Sequence, residues 1–390
     1  MARERGSTRR VPRRGEALPW RRVHRCGMEA PLRVAINGFG RIGRQVVRQM
    51  ADRADVEVVA VNNTRGSPST VAQLFKYDSI YGRYPGDVAH DEHHLVVDGH
   101  PIRVLRQPEP LLCPWHALGI DVVVEATGTF TQRDACADHL KAGAHKVLVT
   151  APARDADLTV VVGVNDDRYD VEAMHIVSAA SCTTNCLAPM VKVLHERFGV
   201  VGGMVTTIHA FTRDQEIHDT IHEDPRRGRA ASLNMTPTRT GAAKAIDAVL
   251  PELAGRLVGI AVRVPVPDVS LTDLSVVLDR PTTVEDINDA FVSAAADAHW
   301  HGVLAASDEP LVSADYVGDH HSCTVDLAST RGAPQHQFKV LGWYDNEAGY
   351  AARVVDLVSI VAGRRPAKPA AAAAADADQA TGSRSAAVLA

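Results

Sequence analysis

The sequence predicts an α/β protein: a doubly wound parallel sheet, then a mixed α/β domain, then a last helix that returns to the first domain. Three observations lead there. Strand and helix patterns alternate through the first half, a glycine turn joins the first strand to the first helix, and alternating strands dominate the second half. At 390 residues, 45% hydrophobic and 23% charged, the chain is long enough for about two such domains.

Residues 1–30 are arginine-rich, carry Pro12 and Pro19, show no apolar periodicity, and read as a disordered basic arm. A targeting peptide is one rival reading, opposed by Glu4, Glu16 and Glu29, because transit peptides are poor in acids. Another is that Met28 is the true start, since folded sequence begins right after it.

From Leu32 the chain reads L-R-V-A-I-N-G-F-G-R-I-G-R-Q-V-V-R-Q-M, a strand, a turn and a helix. Gly38, Gly40 and Gly43 fit G-x-G-x-x-G, which lets a pyrophosphate approach the backbone N–H groups where Arg41 and Ile42 begin the helix. This marks 31–181 as a Rossmann dinucleotide-binding domain. A second strand, Val56 to Val61, ends near the place, about twenty residues past Gly43, where a ribose-binding acid is expected. Asn62 and Asn63 stand there instead. Strands at Asp121–Glu125 and Lys146–Val149 bracket a helix near Arg133–Ala142. A-T-G-T-F, with Thr127 and Gly128, is a glycine turn at a strand's C-terminal end, where open α/β sheets bind ligands.

The stretch S-A-A-S-C-T-T-N-C-L-A-P, Ser178 to Pro189, follows a strand at His175–Ala180. Apolar residues at Leu187, Met190, Val191, Leu194 and Phe198 then mark a helix from Thr183 to about Phe198, which puts Cys182 at or just before its first turn. That position is expected to lower the thiol's pKa and to offer amides to a developing oxyanion. Gly202 and Gly203 are read as turning the chain into a strand from Met204 to His209. The helix runs roughly 24 Å and the strand returns roughly 20 Å, so His209 can come back to Cys182. Alone, the first reads as a buried structural cysteine and the second as a packed histidine. Together they form the activated pair of covalent catalysis.

Arg213 to Ser232 is a long, charged, irregular loop. His218 and His222 lie four apart in it, but no third ligand accompanies them, and no metal is expected. T-P-T-R-T-G-A-A-K-A-I enters a helix, and strands follow at Leu257–Val264 and Val269–Leu278. The mixed α/β domain, 182–346, closes on G-W-Y-D-N-E. A helix from about Tyr350 to Ala362, apolar at Val354, Val355, Val358 and Val361, makes 347–366 the return to the first domain. The alanine-rich tail, 367–390, reads as disordered.

In this order S-C-T-T-N-C-L-A-P, T-T-I-H-A-F-T, T-G-A-A-K-A, R-V-P-V-P and W-Y-D-N-E, after N-G-F-G-R-I-G-R, closely resemble phosphorylating glyceraldehyde-3-phosphate dehydrogenase, from about Leu32 to Pro366. The resemblance implies oxidation of glyceraldehyde 3-phosphate with inorganic phosphate and NAD or NADP, through a thiohemiacetal and a thioester on Cys182, with His209 moving the proton. It also maps the substrate phosphate to Thr212 and Arg263, and the inorganic phosphate to Ser181, Thr183, Thr240 and Gly241. Asn346 would hold the nicotinamide carboxamide, with Tyr350 close by. The 213–232 loop matches the family's S-loop and so implies a homotetramer.

Three departures bear on the transfer. Asn63 replaces the usual ribose-binding aspartate, and Arg65 lies near enough to meet a 2′-phosphate, so a biosynthetic, NADP-tolerant type is expected. Ala348 stands where the family has tryptophan. Cys186, one turn after Cys182, reads as structural, with an oxidised bridge to Cys182 as the alternative. The nearest rival activity is erythrose-4-phosphate dehydrogenase, which Thr212 and Thr240-Gly241 disfavour. A noncatalytic nucleic-acid or surface-binding protein on this scaffold is opposed by the intact Cys182, His209 and Arg263.

Net charge is −5 with both signs interspersed, so neither nucleic acid nor membrane is an expected partner. Six cysteines in so long a chain make no disulfide framework, and a working thiol needs a reducing compartment, which points to the cytoplasm.

Overall fold

The computed structural model describes residues 30–364. Residues 1–29 of the expected 1–30 arm, residues 365–366 of the expected return segment and the expected 367–390 tail lie outside the described residues.

The chain opens with β1 (Leu32–Asn37), α1 (Arg41–Met50), β2 (Val56–Asn62) and α2 (Pro68–Lys76). A small hairpin, β3 (Tyr77–Asp78) and β4 (Gly82–Arg83), leads to β5 (Val88–His90), β6 (His94–Val97) and β7 (His100–Leu105). Then come α3 (Trp115–Leu118), β8 (Val122–Glu125), α4 (Arg133–Lys141), β9 (Lys146–Val149), β10 (Leu158–Thr159) and β11 (Ile176–Ser178). Nine of these strands form one sheet in the order β10-β11-β9-β8-β1-β2-β7-β6-β5. It is parallel from β10 to β7, with β6 and β5 added antiparallel at one edge. Apolar side chains cover both faces of β1 and β8, as a parallel sheet sandwiched by helices requires.

The strand order reverses between β1 and β8, and there the glycine turn sits. Gly38 takes φ 101°, and a Cβ on it would come within 2.5 Å of the Ala126 backbone at the end of β8. A Cβ on Gly43 would stand 2.1 Å from the Gly38 carbonyl oxygen, so the missing side chain is what lets α1 close onto the turn.

The second sheet is mixed. After α5 (Cys182–Phe198) come β12 (Val200–Ala210), β13 (Thr236–Arg239), α6 (Ala242–Val249), β14 (Leu257–Val264), β15 (Ser270–Leu278) and α7 (Val284–Ala296). β16 (Leu304–Ser307), β17 (Cys323–Ala333), β18 (Gln337–Tyr344) and α8 (Ala348–Val361) complete it. Its order is β13-β14-β12-β15-β18-β17-β16, with β12/β14 and β16/β17 parallel. Leu187, Met190, Val191 and Leu194 of α5 pack onto Leu274, Val276 and Val340 of this sheet. α8 returns to the first sheet, where Tyr350, Val354, Leu357 and Val358 share a core with Ile36, Val46 and Val124. No helix among the described residues is long and apolar enough to cross a membrane.

Two expectations need correction. The strand read over His175–Ala180 stops at Ser178, because Ala180 takes the left-handed φ of 57°. Gly202 and Gly203 do not turn the chain: Gly199, at φ 71°, does, and the pair lies inside β12 beside a register shift. A Cβ on Gly203 would meet the Ser275 carbonyl oxygen at 2.7 Å, so glycine there permits close strand packing.

Gly43→Ala should destabilise the chain by about 1–3 kcal/mol, the usual cost of overpacking. The readout is the thermal midpoint, and an unchanged value would mean that α1 and the turn are not in close contact.

Candidate active site

The site begins with a strained turn. Ser181 caps α5, its Oγ accepting from the Thr184 N–H at 3.1 Å, so Cys182 is the first helical residue. Just before it, the left-handed Ala180 is held on several sides. Its N–H donates to Ser178 Oγ at 3.1 Å, its carbonyl accepts from the Tyr350 hydroxyl at 3.0 Å, and Asn185 Nδ2 donates to the carbonyls of Ala179 (2.9 Å) and Ser181 (3.0 Å).

β12 brings His209 back to this turn, with Cys182 Sγ 3.4 Å from His209 Nε2. His209 Nδ1 lies 2.7 Å from the Ala210 carbonyl, and Arg263 Nη1 lies 2.7 Å from that nitrogen and 3.0 Å from the same carbonyl. The guanidinium can only donate, so a neutral Nδ1 accepts from Arg263 whereas a protonated one donates to the carbonyl; in the Nδ1–H tautomer the Nε2 lone pair faces the sulfur. Arg263 stands opposite His209 in the β12/β14 register.

Burial pushes the Cys182 thiol above its ordinary value, while Arg263 and the Thr183 N–H pull it down. This corrects the lowered value expected from the helix terminus: in this partly buried turn, desolvation outweighs the amides and the arginine. His209 is pushed down to about 3 by burial and then by the Arg263 charge. The resting pair is thus a thiol beside a neutral imidazole. Anything that neutralises Arg263 raises the basicity of His209.

The expected anion ligands divide. Arg263 contacts His209 directly, and its Nε is buried with no partner among the described residues. Thr212 lies two residues past the end of β12, its hydroxyl donating to Asp214, which pairs with Arg227 at 2.8 Å. Ser181 Oγ also lies 2.7 Å from Thr184 Oγ1. The Thr183 hydroxyl lies 2.9 Å from the Tyr344 hydroxyl, and its side chain and backbone N–H both reach the Cys182 sulfur. Gly241 begins α6 and, with Ala180 and Lys244, lines a cleft of 210 Å³; Thr240 Oγ1 accepts from the Ala242 N–H at 3.2 Å.

The dinucleotide turn fits an anionic ligand. Gly40 caps α1 without a side-chain hydrogen bond, and a Cβ on Gly40 or Gly128 would meet only open space. Arg41 contributes its place at the helix start, together with Ile42, rather than its guanidinium, which pairs with Glu347 and Asp78 at 2.5 Å each. Thr127 hydrogen-bonds Glu125 through both its N–H, at 2.8 Å, and its hydroxyl. Buried Asn62 donates to Asn37 Oδ1 at 2.7 Å and to the Gln107 carbonyl at 2.9 Å, so it is spent on the fold. Half-buried Asn63 donates to the carbonyl of exposed Arg65. Asn346 is buried, its Oδ1 accepting from Ser270 Oγ at 2.7 Å, which leaves its Nδ2 as the free donor.

Sequence reasoning passed over Tyr344 and Ser270. The Tyr344 hydroxyl lies 2.9 Å from Thr183 Oγ1 and 2.8 Å from Thr207 Oγ1, tying α5 to β12, and its ring meets His209 edge-on. Tyr344 lies inside the quoted W-Y-D-N-E and Ser270 just past R-V-P-V-P, but nothing in their spacing points at the site. Ala348 is buried, with its carbonyl accepting from Gln49 of α1 at 2.9 Å. Cys186 is buried, its thiol 3.7 Å from the Gly342 carbonyl, and all five cysteines among the described residues are free thiols, so the bridge to Cys182 is absent.

The model of the glyceraldehyde 3-phosphate dehydrogenase NAD binding domain matches residues 32–133, and that of the C-terminal domain of the same enzyme matches 181–346. The chain is 51% identical over 333 residues to glyceraldehyde-3-phosphate dehydrogenase of Geobacillus stearothermophilus, covering 85% of this chain and 99% of that enzyme. The Streptomyces coelicolor enzyme is 51% identical over 331 residues (85% and 98%), and that of Mycobacterium avium 53% over 337 (85% and 98%). With both domain models matched and about half of all positions identical over nearly the full length of these enzymes, the chain belongs to the glyceraldehyde-3-phosphate dehydrogenase family.

Proposed function

We propose that the chain oxidises glyceraldehyde 3-phosphate, with inorganic phosphate, to 1,3-bisphosphoglycerate, and that Cys182 and His209 carry the reaction. The 3.4 Å contact between the Cys182 sulfur and His209 Nε2 is the observation that carries this reading. Cys182 Sγ attacks the aldehyde carbon as its proton passes to His209 Nε2, and the imidazolium returns that proton to the carbonyl oxygen, giving a neutral thiohemiacetal beside a neutral imidazole. A dinucleotide held by the first domain would supply the hydride acceptor for that carbon. His209 removes the hydroxyl proton, leaving a thioester. A phosphate oxygen then attacks the thioester carbonyl, the C–S bond breaks, and Cys182 leaves as a thiolate with the acyl phosphate as product.

Arg263 sets the order of events. While its charge is uncompensated it favours the thiolate but holds His209 neutral. A substrate phosphate paired to Arg263, with the Thr212 hydroxyl beside it, raises the basicity of the imidazole as the aldehyde arrives. The second anion falls to Ser181, the Thr183 N–H, Thr240 and Gly241. Gly38, Gly40, Gly43, Thr127 and Gly128 with the first amides of α1 hold the pyrophosphate, and Asn346, on the turn before Tyr350, holds the carboxamide. A working thiol needs a reducing compartment, which the cytoplasm supplies.

Assembly belongs to the same reading. The outer face of the second sheet exposes Met204, Val258 and Ile260, and the 213–232 loop and its exit expose Ile217, Ile221, Leu233 and Met235. So much apolar surface suits burial against further copies of the chain. Sedimentation should read a tetramer; a stable monomer would sink this assignment.

Cys182→Ser should bind dinucleotide and lose turnover, and His209→Asn should slow it by about 10² to 10⁴. The assay follows dinucleotide reduction with glyceraldehyde 3-phosphate or erythrose 4-phosphate, with and without phosphate. Turnover by the serine variant at the parent rate would end the covalent mechanism.

Asn63 is neutral where an aspartate would repel a 2′-phosphate, and Arg65 can add a charge-assisted hydrogen bond worth about 1.5–3 kcal/mol. The enzyme should therefore use NADP at least as well as NAD, by kcat/KM. Asn63→Asp should swing preference toward NAD by roughly tenfold, about 1.4 kcal/mol. Strict NAD use by the parent, unmoved by the aspartate, would show that the adenosine pocket is set elsewhere.

A further inference from the structure

Where the two sheets meet, one phenol touches two carboxylates. The Tyr81 hydroxyl, on the β3–β4 hairpin, lies 2.8 Å from Asp268 Oδ2 and 2.8 and 3.0 Å from the two carboxylate oxygens of Asp345. It has a single proton and can donate to only one of them. Burial and the two aspartates push Tyr81 well above the usual phenol range, so it keeps that proton. The other contact must then be one that Tyr81 accepts, and one carboxyl must be protonated.

Their surroundings decide which. Asp345 accepts from the backbone N–H groups of Glu347 (2.9 Å), Ala348 (2.7 Å) and Gly318 (2.8 Å), all of which favour its anion. Asp268 is 3% exposed, its Oδ2 faces Tyr81, its Oδ1 has no well-aligned partner among the described residues, and Val269 is the one backbone donor acting on its carboxyl, against three at Asp345. The proton therefore sits on Asp268. Around the pair stand Glu347, ion-paired to Arg41 of α1, and Asp78, paired to the same arginine. Burial, then Asp345 and Glu347, raise the Asp268 carboxyl to about 8.

Asp268 also heads a strained link into the active site. Val269 takes φ 66°, an outlier for a β-branched residue. Ser270 then accepts from the Ala210 N–H at 3.1 Å and donates to Asn346 at 2.7 Å. One short segment thus touches the residue after His209, the turn carrying Asn346, and the hairpin of the first domain.

We propose that Asp268 is kept as a neutral carboxylic acid which donates to Tyr81, while Tyr81 donates to Asp345, and that this chain makes Asp268 a positioning residue for the Asn346 turn and hence for dinucleotide binding. The link to binding rests on the function proposed above; the protonation does not. Ionisation of Asp268 places two buried anions on one phenol oxygen, and the joint loosens.

The test compares the parent with Asp268→Asn, a neutral isostere whose amide can still donate to Tyr81, from about pH 5 to about pH 9. Infrared spectra of the parent should show a protonated carboxyl band at neutral pH that fades as pH rises through about 8 and is missing from Asp268→Asn. The folded chain keeps a proton that the unfolded chain releases near its ordinary carboxylate value. Stability from this group is therefore full below about 4, falls as pH rises to about 8, and is flat beyond. The thermal midpoint of Asp268→Asn should accordingly gain on the parent across that window and then run parallel. Dissociation constants for NAD and NADP should rise by about fivefold or more with pH in the parent and stay flat in Asp268→Asn. Absence of the band at neutral pH, or the same alkaline weakening in both proteins, would overturn the proposal. A parent that binds neither dinucleotide at any pH overturns the positioning role along with the proposed function, and the infrared band still judges the proton.

Discussion

The active site depends on one backbone constraint, the left-handed turn at Ala180. A non-glycine residue there costs of the order of 1–3 kcal/mol and persists only where its surroundings over-determine it. Ser178, Asn185 and Tyr350 do that, from the strand before the turn, from the helix after it and from the last helix of the chain. The turn ends β11 early and lets Ser181 cap α5, which fixes Cys182 as the first helical residue. Pro189 lies inside the same helix and removes one intrahelical N–H, so side-chain bonds at its start matter more than usual. Because Tyr350 belongs to α8, which packs on the first sheet, the turn that carries Cys182 is positioned from both sheets.

With the geometry fixed, charge decides reactivity. A helix terminus alone would make Cys182 a ready thiolate, but burial opposes that. Arg263 helps the thiolate and hinders the imidazolium through the same field, because it touches the far nitrogen of His209. A site built this way is quiet until an anion arrives, which suits a thiol that must not react with stray electrophiles.

What could be read from the sequence was what depends on local pattern. G-x-G-x-x-G, the alternation of elements, and the apolar face from Leu187 to Phe198 follow from steric rules acting within a few residues, and both sheets appear as expected. The meeting of Cys182 and His209 was legible because helix and strand lengths nearly match. The contact of the Thr183 hydroxyl with Tyr344 and the engagement of Arg41 with Glu347 were not, since each depends on a partner 161 or 306 residues away. The glycine pair in β12 misled for a related reason: glycine marks turns and close strand approaches alike, and only the partner strand tells them apart.

The joint between the sheets carries the last step. Arg41 begins α1, the helix that follows the glycine turn, and its guanidinium holds Glu347 and Asp78. Glu347 caps α8, and its neighbours Asn346 and Asp345 contact Ser270 and Tyr81. The pyrophosphate end and the nicotinamide end of the proposed cofactor site are thus connected through one cluster of buried charges. Such a cluster holds together only while its charges balance, because an uncompensated buried carboxylate is costly. Arg41 pairs directly with Asp78 and Glu347, and Arg44 and Arg48 add their charge on the Asp78 side, so a neutral Asp268 reduces the negative charge around Tyr81. The proton on that residue is therefore part of what keeps the two halves of the site in register.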